Sequence, residues 1–312
     1  MKRIVTIGGG TGTYTVLTAL KEHSVHLSAI LSMADDGKST GLLRDQYGVL
    51  PAGDVRRGLI ALAPEGELLR KLFLYRFDEG LLQGHNFGNL FLLALEKVTG
   101  DFSTALREAA RLLNIEGEIV PVTLDNVRLY AELTDGTRLY GEHRIDKPKE
   151  KNRAGIKKVW LEPVARLNPA VSRVLHNADL IIIGPGDIYT SLVPNFLVKG
   201  MKEALQKSHG KVIYVGNLMT KFGETQGFTA LDFLAAIKKY CGEDRVDYAL
   251  WNNKRPNAKI LARYTREQSI LVSPPKEKKQ GKTKFLYADL LDSGPLIRHH
   301  QQKLAKALLS LL

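Results

Sequence analysis

Gly8-Gly9-Gly10-Thr11-Gly12-Thr13 places four glycines and two hydroxyl side chains in six consecutive residues. Without a Cβ in the way, a glycine backbone can lie directly against a ligand. Residues 4–7 before the turn read as a buried strand, and residues 14–21 after it carry apolar side chains at helical spacing. A helix starting on the turn offers unpaired N–H groups and the positive end of its dipole to a phosphate. The expected chemistry is recognition of a nucleotide or nucleotide sugar through Gly9, Gly10, Thr11, Gly12 and Thr13. Two better-known phosphate loops are excluded. Thr13 stands where a dinucleotide fingerprint needs its third glycine, and no Gly-Lys-Ser/Thr follows. The competing explanation is a tight strand-to-helix turn with no ligand.

Polar residues recur at five further places. Asp35 and Asp36 follow a second strand expected over residues 27–33. An acid at that distance from the first glycines holds a ribose hydroxyl in dinucleotide folds; two adjacent carboxylates can instead hold a hard cation, or cap a polar turn. Asp54 reads as the N-cap of a helix running to about residue 63, and Arg56 or Arg57 can reach a phosphate. His85 and Asn89 lie among the glycines and polar residues of the 84–90 stretch, at the start of an apolar helix; His85 suits donation to a phosphate, acid chemistry, or a structural role. Gly184-Pro185-Gly186 ends a nearly all-apolar strand over 179–183. Thr190 and Ser191 follow as helix caps and anion donors, and Asn195 sits in the first turn of a helix expected to run to residue 206. Asn217 and Thr220 end a strand over 211–215. No spacing suits zinc.

These residues meet only if their strands run side by side in one direction, since ligands of open parallel sheets bind beyond the carboxyl ends of the strands, near a topological switch point. The pattern supports that arrangement. Strand, glycine-rich corner and helix recur three times, and the 179–183 strand is apolar throughout, as in a sheet covered on both faces. Residues 118–161 break the rhythm. Alternating segments and the turn Thr134-Asp135-Gly136-Thr137 indicate a β-rich insertion, which includes a basic connection over 147–158.

A chain of 312 residues with 44% apolar content can bury a large core without staples. Its one cysteine, Cys241, permits no internal disulfide, as expected in a reducing cytoplasm. The 4–7 run is too short for a secretory signal, and no apolar stretch reaches membrane-spanning length. The net charge of +12 suits anionic small ligands, an acidic protein or nucleic acid. No zinc-finger or RNA-binding signature supports nucleic acid, and the densest basic run, 276–284, reads as a solvated loop.

Taken together, Gly8-Gly9-Gly10-Thr11-Gly12, Ala34-Asp35-Asp36-Gly37, Pro51-Ala52-Gly53-Asp54-Val55-Arg56, Gly84-His85-Asn86-Phe87-Gly88-Asn89-Leu90, Gly184-Pro185-Gly186 with Tyr189-Thr190-Ser191, Pro194-Asn195 and Asn217-Leu218-Met219-Thr220 occur in an order that resembles the gluconeogenesis factor family, YvcK-like proteins of the CofD-like superfamily. The resemblance runs from residue 4 to about residue 298. It implies an α/β fold, a Rossmann-like three-layer α/β/α core with a mostly parallel sheet, forming a single domain over residues 1–312 with the small β-rich insertion. It implies a cytoplasmic regulator that binds UDP-sugars, notably UDP-N-acetylglucosamine, and is needed for cell shape and wall-precursor supply under gluconeogenic growth. It further implies a protein partner in amino-sugar synthesis and a homo-oligomer, with no membrane or nucleic-acid partner, no assigned catalytic residue and no certain cofactor. The related CofD branch transfers a phospholactyl group to a deazaflavin precursor with magnesium.

By the same resemblance the nucleotide sugar lies around the first glycine turn, the 184–186 corner, Asn195 and the Asn217 loop, with Tyr264 and Arg298 at positions tied to the uridine sugar. An aromatic face can stack on uracil, and a guanidinium can fork onto a diphosphate. The chain departs from the family pattern at Lys38-Ser39-Thr40-Gly41-Leu42, where Gly-Ser-Ser-Gly-Arg is usual, and at Arg57, Asn86 and Asp187. A carboxylate at position 187 beside a diphosphate needs a cation or Lys38 to neutralise it. Two other functions compete with the sensor: a CofD-like transferase using a nucleotide-activated donor, and a nicotinamide-dinucleotide binder. The transferase branch has Thr-Gly-Asp-Asp after its second strand, whereas this chain has Met33-Ala34-Asp35-Asp36, which favours the sensor.

Overall fold

The computed structural model describes residues 1–150 and 152–312; Lys151, within the expected basic connection, and the side chain of Lys38, the expected neutraliser, lie outside the described residues. The strands are β1 (Lys2–Gly8), β2 (Val25–Leu31), β3 (Glu118–Pro121), β4 (Arg128–Leu133), β5 (Arg138–Tyr140), β6 (Ile156–Glu162), β7 (Leu180–Ile183), β8 (Lys211–Val215), β9 (Tyr248–Asn252), β10 (Lys279–Gln280) and β11 (Thr283–Ala288). The last five residues of β1 and all four of β7 are buried, as strands covered on both faces must be.

Eight strands form one sheet in the order β10-β11-β9-β8-β7-β1-β2-β3. All neighbours are parallel except β10 and β11. From β1 the chain first builds outward through β2 to β3, then returns to the other side of β1 and builds through β7, β8 and β9. The strand order therefore reverses between β1 and β7. Helices Gly10–Leu20, Gly53–Leu62 and Gln301–Leu309 pack together in one layer; Pro169–His176, Met201–Lys207 and Ala230–Cys241 form another. The sheet between them supplies the core, from Ile4 and Ile7 to Ile181–Ile183 and Val212–Val215. This is the expected α/β/α architecture.

Three local expectations are corrected. The insertion does not begin at residue 118: β3 pairs in parallel with β2 and completes the edge of the main sheet, and the separate antiparallel sheet β5-β4-β6 runs from Arg128 to Glu162. The helix expected from about residue 193 to residue 206 is two helices, Val193–Phe196, which continues from a wide π turn (Ile188–Leu192), and Met201–Lys207, with a left-handed backbone at Gly200 between them. Finally, Lys38–Tyr47 is a helix where only a polar turn was expected. Its interior Gly41 lowers helix propensity, yet a Cβ there would strike the Asp36 backbone, so packing decides the position.

Candidate functional site

The reversal between β1 and β7 opens a cleft of about 560 Å³ beyond the carboxyl ends of the strands. Gly9, Gly10, Thr11, Gly12, Asp35, Gly186, Thr190 and Ser191 line it, so the structure brings these expected residues together. Gly10 has φ +63°, a left-handed conformation that turns the chain from β1 into the helix Gly10–Leu20. Gly12 lies so close to the 184–186 corner that a Cβ would collide with the Pro185 carbonyl. The two corners are thus packed against each other, and Gly184 and Pro185 stand behind the cleft lining, which Gly186 joins.

Asp54 is not the helix cap it was expected to be. The helix Gly53–Leu62 begins at Ala52 without a side-chain cap, and Asp54 instead accepts the Gly10 N–H at 2.9 Å. Arg57 lies 3.5 Å from the same carboxylate oxygen and also lines the cleft. Asp35 is fixed by the Gly37 N–H at 2.9 Å and the Thr40 hydroxyl at 3.0 Å.

Several expected residues stand behind the cleft rather than in it. Arg56 is buried and donates to Asn89 Oδ1 at 2.9 Å and to the Phe73 carbonyl at 3.2 Å. Asn89 donates on to Thr40, so Arg56 and Asn89 support Asp35 through a hydrogen-bond chain. His85 Nδ1 lies 3.3 Å from the Ser39 hydroxyl. Thr13 is buried beneath the turn, against Gly8. Asn195, with no exposure, donates to the carbonyls of Gly8, Ser191 and Leu192 and ties the end of β1 to the π turn Ile188–Leu192. Asn217 donates to the Gly186 carbonyl at 2.9 Å and accepts from the Tyr214 hydroxyl, and Thr220 accepts the Ile270 N–H. Thr190 and Ser191 cap no helix; Thr190 donates to Glu224.

Tyr264 and Arg298 are not brought to the cleft lining. The Tyr264 hydroxyl accepts the Ile297 N–H at 3.1 Å, which sets it next to the exposed Arg298. A second cavity of about 570 Å³ is lined by Asn252, Lys254, Arg255, Leu261 and Thr265; it shares the helix Ala258–Arg266 with Tyr264, but neither Tyr264 nor Arg298 lines it.

The insertion supplies residues that the sequence reading missed. Its short helix Glu142–Asp146 places Glu142, His143 and Asp146 in the cleft wall. Asp36 accepts the His143 N–H at 2.6 Å and tethers one end of this helix to the β2 tip. At the other end, the Lys221 ammonium pairs with Asp146, with Asp187 at 2.7 Å and with Glu224 at 3.0 Å. Those three carboxylates have the spacing of metal ligands among the described residues, but the ammonium already sits on all of them. Position 187 is therefore neutralised by Lys221. No local motif marks Glu142, Asp146 or Lys221; only tertiary folding brings them together.

The cleft is an acidic place. Burial, reinforced by Asp35, pushes the Asp54 carboxyl up to about 6. Burial and the carboxylates of Asp35, Asp146, Asp54 and Asp36 push Glu142 up to about 10. Asp36 is also raised by burial, against the pull of the His143 N–H, and burial raises Glu224 despite Lys221. These carboxyls repel one another and would repel an anion unless a cation accompanied it.

Residues 4–291 match the family model of CofD, 2-phospho-L-lactate transferase. The chain belongs to the CofD family. Within that family its relatives are gluconeogenesis factors. The protein of that name from Halalkalibacterium halodurans is 38% identical over 99% of this chain and 96% of its own length. A Nostoc sp. relative, assigned provisionally to the same factor, is 45% identical over 98% of this chain and 68% of its own; one from Aquifex aeolicus is 41% identical over 99% and 96%. The crystal structure of a UPF0052 protein from Bacillus halodurans superposes with a TM-score of 0.92 at 36% identity, covering 99% of this chain and all of that one. The insertion that brings Glu142 into the cleft lies within the region that superposes on this UPF0052 protein. No helix among the described residues is long and apolar enough to cross a membrane.

Proposed function

We propose that this CofD-family chain is a cytoplasmic, non-catalytic sensor of UDP-N-acetylglucosamine, acting through a protein partner in amino-sugar synthesis to maintain wall-precursor supply and cell shape under gluconeogenic growth. One observation carries the binding reading: the Gly9–Gly12 turn and the Gly186–Ser191 corner face each other across a single cleft at the sheet's switch point. The cleft volume falls in the range of small-molecule sites. The turn offers backbone N–H groups, and Arg57 and Lys147 offer cations to the diphosphate. The resemblance adds Tyr264 and Arg298, which are neighbours through the Ile297 N–H bond to the Tyr264 hydroxyl but lie outside the cleft lining. Relatives named gluconeogenesis factor support the physiological part.

Thermal shift with a panel of nucleotides and nucleotide sugars tests this reading. UDP-N-acetylglucosamine is expected to raise Tm through binding to the native state, and Arg298→Ala to weaken it in calorimetry without unfolding the chain. No shift at millimolar ligand overturns the sensor. The acidic lining favours a second reading, a transferase using magnesium and a nucleotide-activated phospholactyl donor. Turnover of such a donor in the presence of a deazaflavin and magnesium would replace the sensor with that enzyme.

A further inference from the structure

Residues 252–284 hold ten lysines and arginines and two acids, Glu267 and Glu277, so eight of the chain's twelve net positive charges are concentrated there. All ten cations are exposed, and among the described residues only Lys282 pairs with a carboxylate, that of Asp244 at 3.4 Å. Two of them sit on a fixed turn: the Asn252 side chain accepts the Lys254 N–H and donates to the Lys254 carbonyl, which sets the course of the chain through Lys254 and Arg255. None of the ten lines the binding cleft.

The same region contains an unfinished β-pairing. Thr220 N–H donates to the Ile270 carbonyl at 2.8 Å and Val272 N–H to the Leu218 carbonyl at 2.9 Å, which sets Leu271 opposite Met219 in an antiparallel bridge. The N–H and C=O of Leu271 therefore point away from this pairing, and neither has a hydrogen-bond partner among the described residues. The strap 270–274 is also the shared wall of two cavities: the one of about 570 Å³ beside Lys254 and Arg255, and another of about 480 Å³ beside Phe228, Leu231 and Lys276. Ile270, on the strap, is 57% exposed. An extended segment added to a free edge bonds through its backbone and sends alternate side chains to opposite sides. Here both hollows combine apolar walls with cations, and Glu277 is the one acid among their lining residues. Concave hollows take side chains, which a flat lipid surface does not supply, and the cations call for acidic ones beside them.

We propose that the strap 270–274 is the docking edge for an extended, acidic segment of a partner protein, whose apolar side chains enter the two hollows while its carboxylates meet Lys254, Arg255 and Lys276. This rests on the partner half of the reading above and not on the nucleotide sugar. Binding is therefore measured without nucleotide, so that its failure and that of the sensor are read separately. The probe is a fluorescein-labelled peptide of three valines between pairs of glutamates, titrated with the full chain by fluorescence anisotropy. Binding is expected. Methylating the backbone nitrogens of the valines, which removes N–H groups and no charge, is expected to weaken it about tenfold. Lys254→Glu with Arg255→Glu is expected to weaken it about tenfold as well, with circular dichroism unchanged because both side chains are exposed. No binding overturns the proposal. So does binding that backbone methylation leaves intact, which would reduce the patch to charge alone. Binding of oligodeoxythymidine in place of the peptide would give the surface to nucleic acid and overturn it too.

Discussion

Asp54 Oδ1 accepts the N–H of Gly10 at 2.9 Å across 44 residues of chain, so a buried carboxylate sets the shape of the glycine turn that lines the cleft. Asp54→Ala leaves that N–H without its partner and is expected to cost about 1–3 kcal/mol, read as a fall in Tm. Asp54→Asn retains an acceptor oxygen and removes the charge. It is expected to keep most of the stability and to bind UDP-N-acetylglucosamine more tightly. Equal melting of the alanine and asparagine variants would show that the hydrogen bond is unimportant.

The raised Asp54 carboxyl also predicts how binding responds to pH. Below about 6 it is neutral; above, it adds negative charge beside the ligand's diphosphate. Without divalent cations, affinity is expected to fall between about pH 5 and about pH 7. Magnesium should recover it, and Asp54→Asn should flatten the profile. Calorimetry at several pH values, with and without magnesium, measures this; a profile identical for the variant would contradict it.

Glu142 gives a stability prediction of definite sign. Its folded-state value, about 10, lies above the ordinary 4.5, so the native state holds the proton more tightly than the unfolded chain. Stability is therefore lost as pH rises above about 4.5, up to about 10. Glu142→Gln removes that loss. Its Tm is expected to match wild type near pH 4.5 and to exceed it by about 3 °C at about pH 8. Parallel melting curves across this range would refute the assignment.

Lys221 bridges Asp146, Asp187 and the fully buried Glu224. Lys221→Met leaves their charges uncompensated, with an expected loss of about 3 kcal/mol near neutral pH. The loss should shrink on acidification, because protonation then neutralises the carboxyls. Denaturant unfolding at neutral and acidic pH checks both size and direction.

Gly12→Ala drives a methyl group into the Pro185 carbonyl. An overpacking cost of about 1–3 kcal/mol is expected, together with loss of nucleotide-sugar binding as the two corners separate. An unchanged Tm would mean that the corners can move apart freely.

The parallel core was legible because its signals are local. The apolar runs of β1 and β7, each followed at once by glycines, report strand, turn and burial in a few residues. The cleft was legible only in part. Gly9–Gly12 and Gly186–Ser191 carry their chemistry in sequence, but Arg56 and Asn195 look the same on paper whether they face a phosphate or a carbonyl. In the fold, Arg56 meets Asn89 and the Phe73 carbonyl, and Asn195 meets three backbone carbonyls. Asp54 was read as a cap because its partner, Gly10, is remote in the chain. Glu142 and Lys221 carry no local mark, since their roles arise from the insertion folding back over the sheet.

That folding back gives the cleft two walls of different origin. One belongs to the parallel sheet and is locked into the core by Asn195 and the Gly12–Pro185 approach. The other is a five-residue helix moored at its ends by Asp36 and Lys221. Exchange of that helix alone could retune which anion enters, leaving the scaffold's folding untouched.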